Sequence, residues 1–176
     1  MSRSRSSRRR TVALACVLVV GSLPGHVVRA APCWSPPVDA EVTDPFREPA
    51  CTWCPGNRGV EYGTARGAPV RAVASGEVTF SGTVAGTRYV VVRHAGGLRV
   101  TYGNLASTEL GRGDVVARGA VIGLTAGRFH LGVRNGERYV DPAPFIGELR
   151  GVVRLIPADG SAPAPAPPPR VRCPVV

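Results

Sequence analysis

Apolar residues alternate with polar ones, or run continuously, through most of the middle of this chain, and no stretch of helical spacing reaches ten residues. The segment APVRAVASGEVTFSGTV (68–84) predicts strands on either side of a Ser75-Gly76 turn. RYVVVRHAGGLRVTYGNL (88–105) predicts two strands joined at Gly96-Gly97. DVVARGAVIGLTAG (114–127) reads as short strands split by glycine, and FHLGVRNGERYVDP (129–142) as a hairpin through Asn135-Gly136. Many short strands with frequent glycine turns predict an all-β fold, a small antiparallel barrel or sandwich. Most of the glycines are expected to be turn residues.

The flanks read differently. Residues 1–30 place five arginines before an apolar run, Thr11 to Leu23, and end in the small-residue site Val28-Arg29-Ala30. The run is shorter than the ~20 residues of a spanning helix, so a secretory signal peptide cleaved after Ala30 is expected, with no stable membrane insertion afterwards. Residues 31–42 form a Pro-rich lead-in and residues 43–147 the folded domain. Residues 148–156 are a connecting segment, and 157–176 a Pro/Ala-rich tail expected to be extended and unpacked.

Cleavage changes the charge. The chain carries a formal net charge of +10, but residues 1–30 hold six of its 22 basic residues and none of its 12 acids, which leaves +4. The remaining arginines are scattered among acids, so nucleic-acid binding loses its support. Cys33, Cys51, Cys54 and Cys173 survive cleavage, and an even count in an exported chain predicts two disulfides with three possible pairings. A structural zinc site on Cys51-x-x-Cys54 would need a second close pair, and Cys33 and Cys173 are isolated.

Six motifs follow one another in a recognisable order: Asn57-Arg58-Gly59-Val60-Glu61; G-x-P-V-x-A-x-x-x-G-x-V from Gly67 to Val78; V-x-H-x-x-G from Val92 to Gly97; T-Y-x-x-L from Thr101 to Leu105; G-D-x-V-x-x-G-x-x-I-G from Gly113 to Gly123; and H-x-x-V-R-x-G from His130 to Gly136, closed by Tyr-Val-Asp-Pro at 139–142. Across about residues 43–147 the chain resembles the lysostaphin-type zinc endopeptidases that cut peptidoglycan cross-links. Biotinyl and lipoyl carrier domains share the second motif but need a lysine, and this chain has none.

The resemblance implies where a metal site would stand. In the family, zinc takes a His and an Asp from the first motif and the second His of a His-x-His pair, leaving a position for the water that attacks the peptide carbonyl. Two more histidines assist. Here the ligand positions are Asn57, Glu61 and His130, so only His130 keeps the family's residue. The assisting, catalytic positions are Asn104 and Arg128, both substituted. Of the three histidines, only His94 and His130 lie beyond residue 30, and His94 falls where the family has a structural residue. Glu61 and Arg128 are expected to form an ion pair across the old site.

Three functions follow. The first is a secreted, non-catalytic protein of the cell envelope, with no cofactor, that binds peptidoglycan or regulates a cell-wall hydrolase. The second is a divergent but active zinc endopeptidase that uses Glu61 and His130. The third is a disulfide-braced envelope protein whose groove no longer matters.

Overall fold

The computed structural model of this protein describes residues 33–151, 165 and 170–173. The expected signal peptide and most of the Pro/Ala-rich tail lie outside the described residues. Among the described residues there are eleven strands and no α-helix: β1 (Val42–Asp44), β2 (Gly59–Gly63), β3 (Pro69–Arg71), β4 (Gly76–Val84), β5 (Thr87–His94), β6 (Arg99–Ser107), β7 (Val115–Val116), β8 (Val121–Asn135), β9 (Arg138–Val140), β10 (Glu148–Arg150) and β11 (Arg170–Arg172).

Nine strands form one antiparallel sheet in the order β1-β2-β8-β6-β5-β4-β7, with β3 and β9 paired to the two ends of β8. The sheet does not close into a barrel; β1 and β7 are its free edges. Alternation decides its faces. Val60 and Tyr62 on β2, Val90 and Val92 on β5, Val100 and Tyr102 on β6, and Phe129, Leu131 and Val133 on β8 all point into the buried core. The intervening residues line the other face.

Two sequence expectations are corrected here. Of the short strands expected in 114–127, Val115–Val116 is indeed a separate strand, β7, but from Val121 onward the chain runs through the first half of the 129–142 hairpin as one continuous 15-residue strand, β8. Gly123 is an interior strand position, not a turn: a Cβ there would lie 2.3 Å from the Ser107 carbonyl oxygen, so β6 approaches closely only because that atom is missing. The hairpin also turns one residue later than expected, because Asn135 already pairs with Arg138 and leaves Gly136-Glu137 as the loop.

The flanks join the fold. Trp34 and Val38, from the Pro-rich lead-in, are core residues, and Trp34 packs on Phe145 with ring centroids 5.0 Å apart. The tail is not wholly unpacked, since Arg170–Arg172 pairs with Glu148–Arg150. Cys33 is bonded to Cys173 and Cys51 to Cys54, with Cα separations of 5.5 and 4.9 Å. The first bridge joins cysteines 140 residues apart. In the chain-entropy account, closing so long a loop stabilises by about 4–5 kcal/mol.

Candidate functional site

Strand pairing assembles the site on the face turned away from the core. Glu61 of β2 pairs directly with His130 of β8, Gly63 with Arg128, and Gly103 of β6 with His130 from the other side. Cross-strand partners share a face, so Glu61, Arg128 and His130 converge.

The imidazole sits where neighbouring side chains are absent. A Cβ on Gly59 would lie 2.6 Å from His130 Cε1, and one on Gly132 would lie 3.1 Å from His130 Nε2. Larger residues at either place would expel the ring. His130 Nδ1 donates to Glu61 Oε1 at 2.7 Å.

Glu61 also meets Arg128, as the sequence leads one to expect, but at 3.6 Å from Oε2 to Nε and with the arginine side chain 69 % exposed. The closer partner is His130, a contact the sequence reading missed. Its signal was present in the matched alternation of Gly59-x-Glu61-x-Gly63 and Arg128-x-His130-x-Gly132, although the register that aligns the two strands is not local information. Glu61 Oε2 is buried and has no hydrogen-bond partner among the described residues.

The other two candidates stand apart from this contact. Asn57 is buried, and its amide ties its segment to the end of β1: Nδ2 donates to the carbonyls of Asp44 and Pro45 at 3.2 and 3.1 Å, and Oδ1 accepts from the Gly59 amide at 3.3 Å. Asn104 occupies a bulge between Gly103 and Leu105 with φ of 59°, a left-handed conformation that asparagine tolerates better than most residues. Among the described residues no hydrogen bond joins its side chain to Glu61, Arg128 or His130.

A further carboxylate comes near through the backbone, because Asp44 of β1 is the pairing partner of Glu61. Its side chain is already engaged by the Arg47 guanidinium, whose hydrogen bond holds Asp44 below the usual carboxylate range. Among the described residues no three His, Cys, Asp or Glu side chains gather closely enough to hold a metal ion.

A second cluster on the same face was also missed. Arg58 and Arg134 both lie over the ring of Tyr139, at 5.8 and 5.1 Å from its centroid, beside an exposed Trp53. The sequence scatters these residues over three motifs.

Comparison with known proteins places the chain. The model of peptidase family M23 matches residues 55–142, half of the chain, including Asn57, Glu61, Asn104, Arg128 and His130. An uncharacterized protein of Mycobacterium tuberculosis, Rv2891, is 32 % identical over 146 residues, which cover 76 % of this chain and 58 % of the relative. This chain thus spans little more than half the length of that relative. DD-carboxypeptidase/endopeptidase Mpg of Neisseria gonorrhoeae is 39 % identical over 92 residues, covering 48 % of this chain and 21 % of Mpg. Among solved structures, Csd3 of Helicobacter pylori superposes with a TM-score of 0.58 at 26 % identity, over 66 % of this chain and 35 % of Csd3. The sheet, the order of the motifs and the family match agree, and the chain belongs to peptidase family M23.

Proposed function

We propose that this protein is an exported, non-catalytic member of its family that binds peptidoglycan or regulates a cell-wall hydrolase. The observation that carries this reading is the state of Asn57. Where a relative would aim an imidazole at zinc, this chain ties an amide to the backbone with three hydrogen bonds, two to the Asp44 and Pro45 carbonyls at the end of β1 and one from Gly59. That leaves Glu61 and His130 as the metal-capable pair, bonded to each other rather than opened around an ion. Two such ligands do not make the three-ligand site of catalytic zinc. Arg128, a permanent cation 3.6 Å from Glu61, further opposes a dication there. The residues present do not fit the family's zinc.

Export is supported by the signal-like residues 1–30 and by two disulfides. Wall binding is supported by family membership and by Mpg, whose name describes peptidase activity. Among the described residues no helix is long and apolar enough to cross a membrane.

The test is metal analysis of protein purified without added metal, beside sedimentation with peptidoglycan. The expected result is sub-stoichiometric zinc, co-sedimentation and no cleavage. A divergent zinc endopeptidase remains the second reading, favoured by the convergence of Glu61 and His130 in a glycine-cleared seat. One zinc per chain with chelator-sensitive wall cleavage would establish it in place of the first. Restoring the family's residues with Asn57→His, Glu61→Asp, Asn104→His and Arg128→His should confer zinc uptake. The bonds of Asn57 set a cost: their loss takes about 1–3 kcal/mol, so the variant should be less stable until metal binds.

A further inference from the structure

Outward positions of β8 recur every second residue, so His130, Gly132 and Arg134 follow one another along one face. Arg134 stands about 13 Å from His130, four residues further on, with the bare backbone of Gly132 between them. At that end the face opens into a cleft of about 750 Å³ between the Cys51–Cys54 loop and the β8–β9 hairpin. Trp53, at the tip of the disulfide loop, is 93 % exposed.

The charges in this cleft are unequally matched. Arg138 pairs with Glu48 at 3.2 Å. Arg134 and Arg99 both grip Glu137, at 2.5 and 2.7 Å. Arg58 has no carboxylate partner among the described residues. Its Nη2 donates to the Thr52 carbonyl at 2.7 Å and lies 3.4 Å from that of Cys54, so the guanidinium is fixed while its remaining donors are uncommitted. Arg134 engages Glu137 through Nη2, and its Nε is buried without a hydrogen-bond partner among the described residues. Two guanidiniums over one tyrosine ring repel each other, and only one of them has an anion.

We propose that this cleft binds the free α-carboxylate of a short peptide, with Arg58 receiving the carboxylate and Trp53 and Tyr139 flanking the last side chains. A guanidinium presents paired donors matched to a carboxylate, which an amide or a neutral sugar does not use in the same way. Glu137 illustrates the chemistry within the molecule: a carboxylate 83 % exposed is nonetheless held by two arginines, and their hydrogen bonds and charges keep it below the usual carboxylate range. From such an anchor an extended peptide would run over Gly132 towards His130. Assigning the peptide to the cell wall rests on the function proposed above; the carboxylate site itself does not.

The experiment titrates the oxidised protein with acetyl-D-alanyl-D-alanine and with its C-terminal amide, by calorimetry or NMR, beside sedimentation with peptidoglycan. The acid should bind at least about tenfold more tightly than the amide. Arg58→Gln should erase that difference. Glu137→Gln, which frees Arg134, should tighten the acid a few-fold, a gain that misfolding could not mimic. Trp53→Ala, at a fully exposed position, should weaken both probes. Equal binding of acid and amide, no binding of either, or a preference that survives Arg58→Gln overturns the proposal. Sedimentation with peptidoglycan but no preference for the acid would sink the carboxylate site and leave the wall-binding function standing. Preference for the acid without sedimentation would do the reverse.

Discussion

His94 and His130 occupy two faces of one sheet, and their surroundings differ in how completely polar groups are matched. His94 continues the core-facing row of Val90 and Val92 on β5. Its Nδ1 donates to the Ser75 carbonyl at 3.0 Å, and the Tyr102 hydroxyl reaches its Nε2 at 3.4 Å. That hydroxyl in turn accepts from the Val73 amide at 3.0 Å. Each polar atom of the ring has a partner, and Trp34 packs against it with ring centroids 5.7 Å apart. Burial lowers the His94 pKa, with the Ser75 bond opposing, and pushes that of the Tyr102 hydroxyl upward. Both therefore remain neutral. His130 faces the groove, bonded to a glutamate whose second oxygen is buried, has no hydrogen-bond partner among the described residues and meets only the long ion pair to Arg128. A closed network specifies a core. An unclosed one, at a place where glycines keep the space clear, leaves polar atoms available to a ligand.

The comparison breaks most visibly at Tyr102. Tyr102→Ala removes a fully buried ring and the partner of both Val73 and His94, and should cost about 3–5 kcal/mol in chemical denaturation. A loss under 1 kcal/mol would mean the core network is not structural. On the groove side, Gly59→Ala should cost about 1–3 kcal/mol. The new Cβ would meet the Leu131 carbonyl oxygen at 2.4 Å, a backbone atom that cannot swing aside. It should also move the His130 ring, visible as a shift of its imidazole NMR signals.

Acid should separate the two histidines. The folded pKa of His94 is depressed, so the unfolded chain takes up that proton first. The stability contributed by neutral His94 is whole above about pH 6.5, declines as pH falls below it, and levels off once pH passes the folded value. Unfolding midpoints followed from pH 7.5 to 5 should fall, and should still fall in His130→Gln. If the decline vanishes in that variant, the assignment to His94 is wrong. The smallest effect belongs to Arg128→Ala. Its side chain is 69 % exposed and its contact with Glu61 is long, so stability should change by about 0–1 kcal/mol. A larger loss would mean that the Glu61–Arg128 pair holds the groove together.

Much of this architecture was legible before any coordinates. The alternation of 88–105 is repeated by each strand and needs no distant partner to be read, so β5 and β6 emerge from it nearly to the residue. The motif order likewise pointed to the family. What the alternation could not show was where strands stop being separate. Gly123 looks like a turn in sequence, yet it is strand interior where Ser107 of β6 comes close from elsewhere in the chain.

Other features were settled only through space. Four cysteines allow three pairings, and the choice of Cys33 with Cys173 depends on Trp34 bridging Ile146 next to the paired strands β10 and β11. Trp34 looked like part of a linker because one aromatic among prolines has no period; the core had room for it beside Phe145 and His94. Residue identity alone made Asn57 a poor ligand and Glu61 a displaced one. That Asn57 is held by the Asp44 and Pro45 carbonyls, and that Glu61 spends its carboxylate on His130, 69 positions away, follows from strand register, a long-range property set by the burial of Val60, Tyr62, Phe129 and Leu131 on the opposite face.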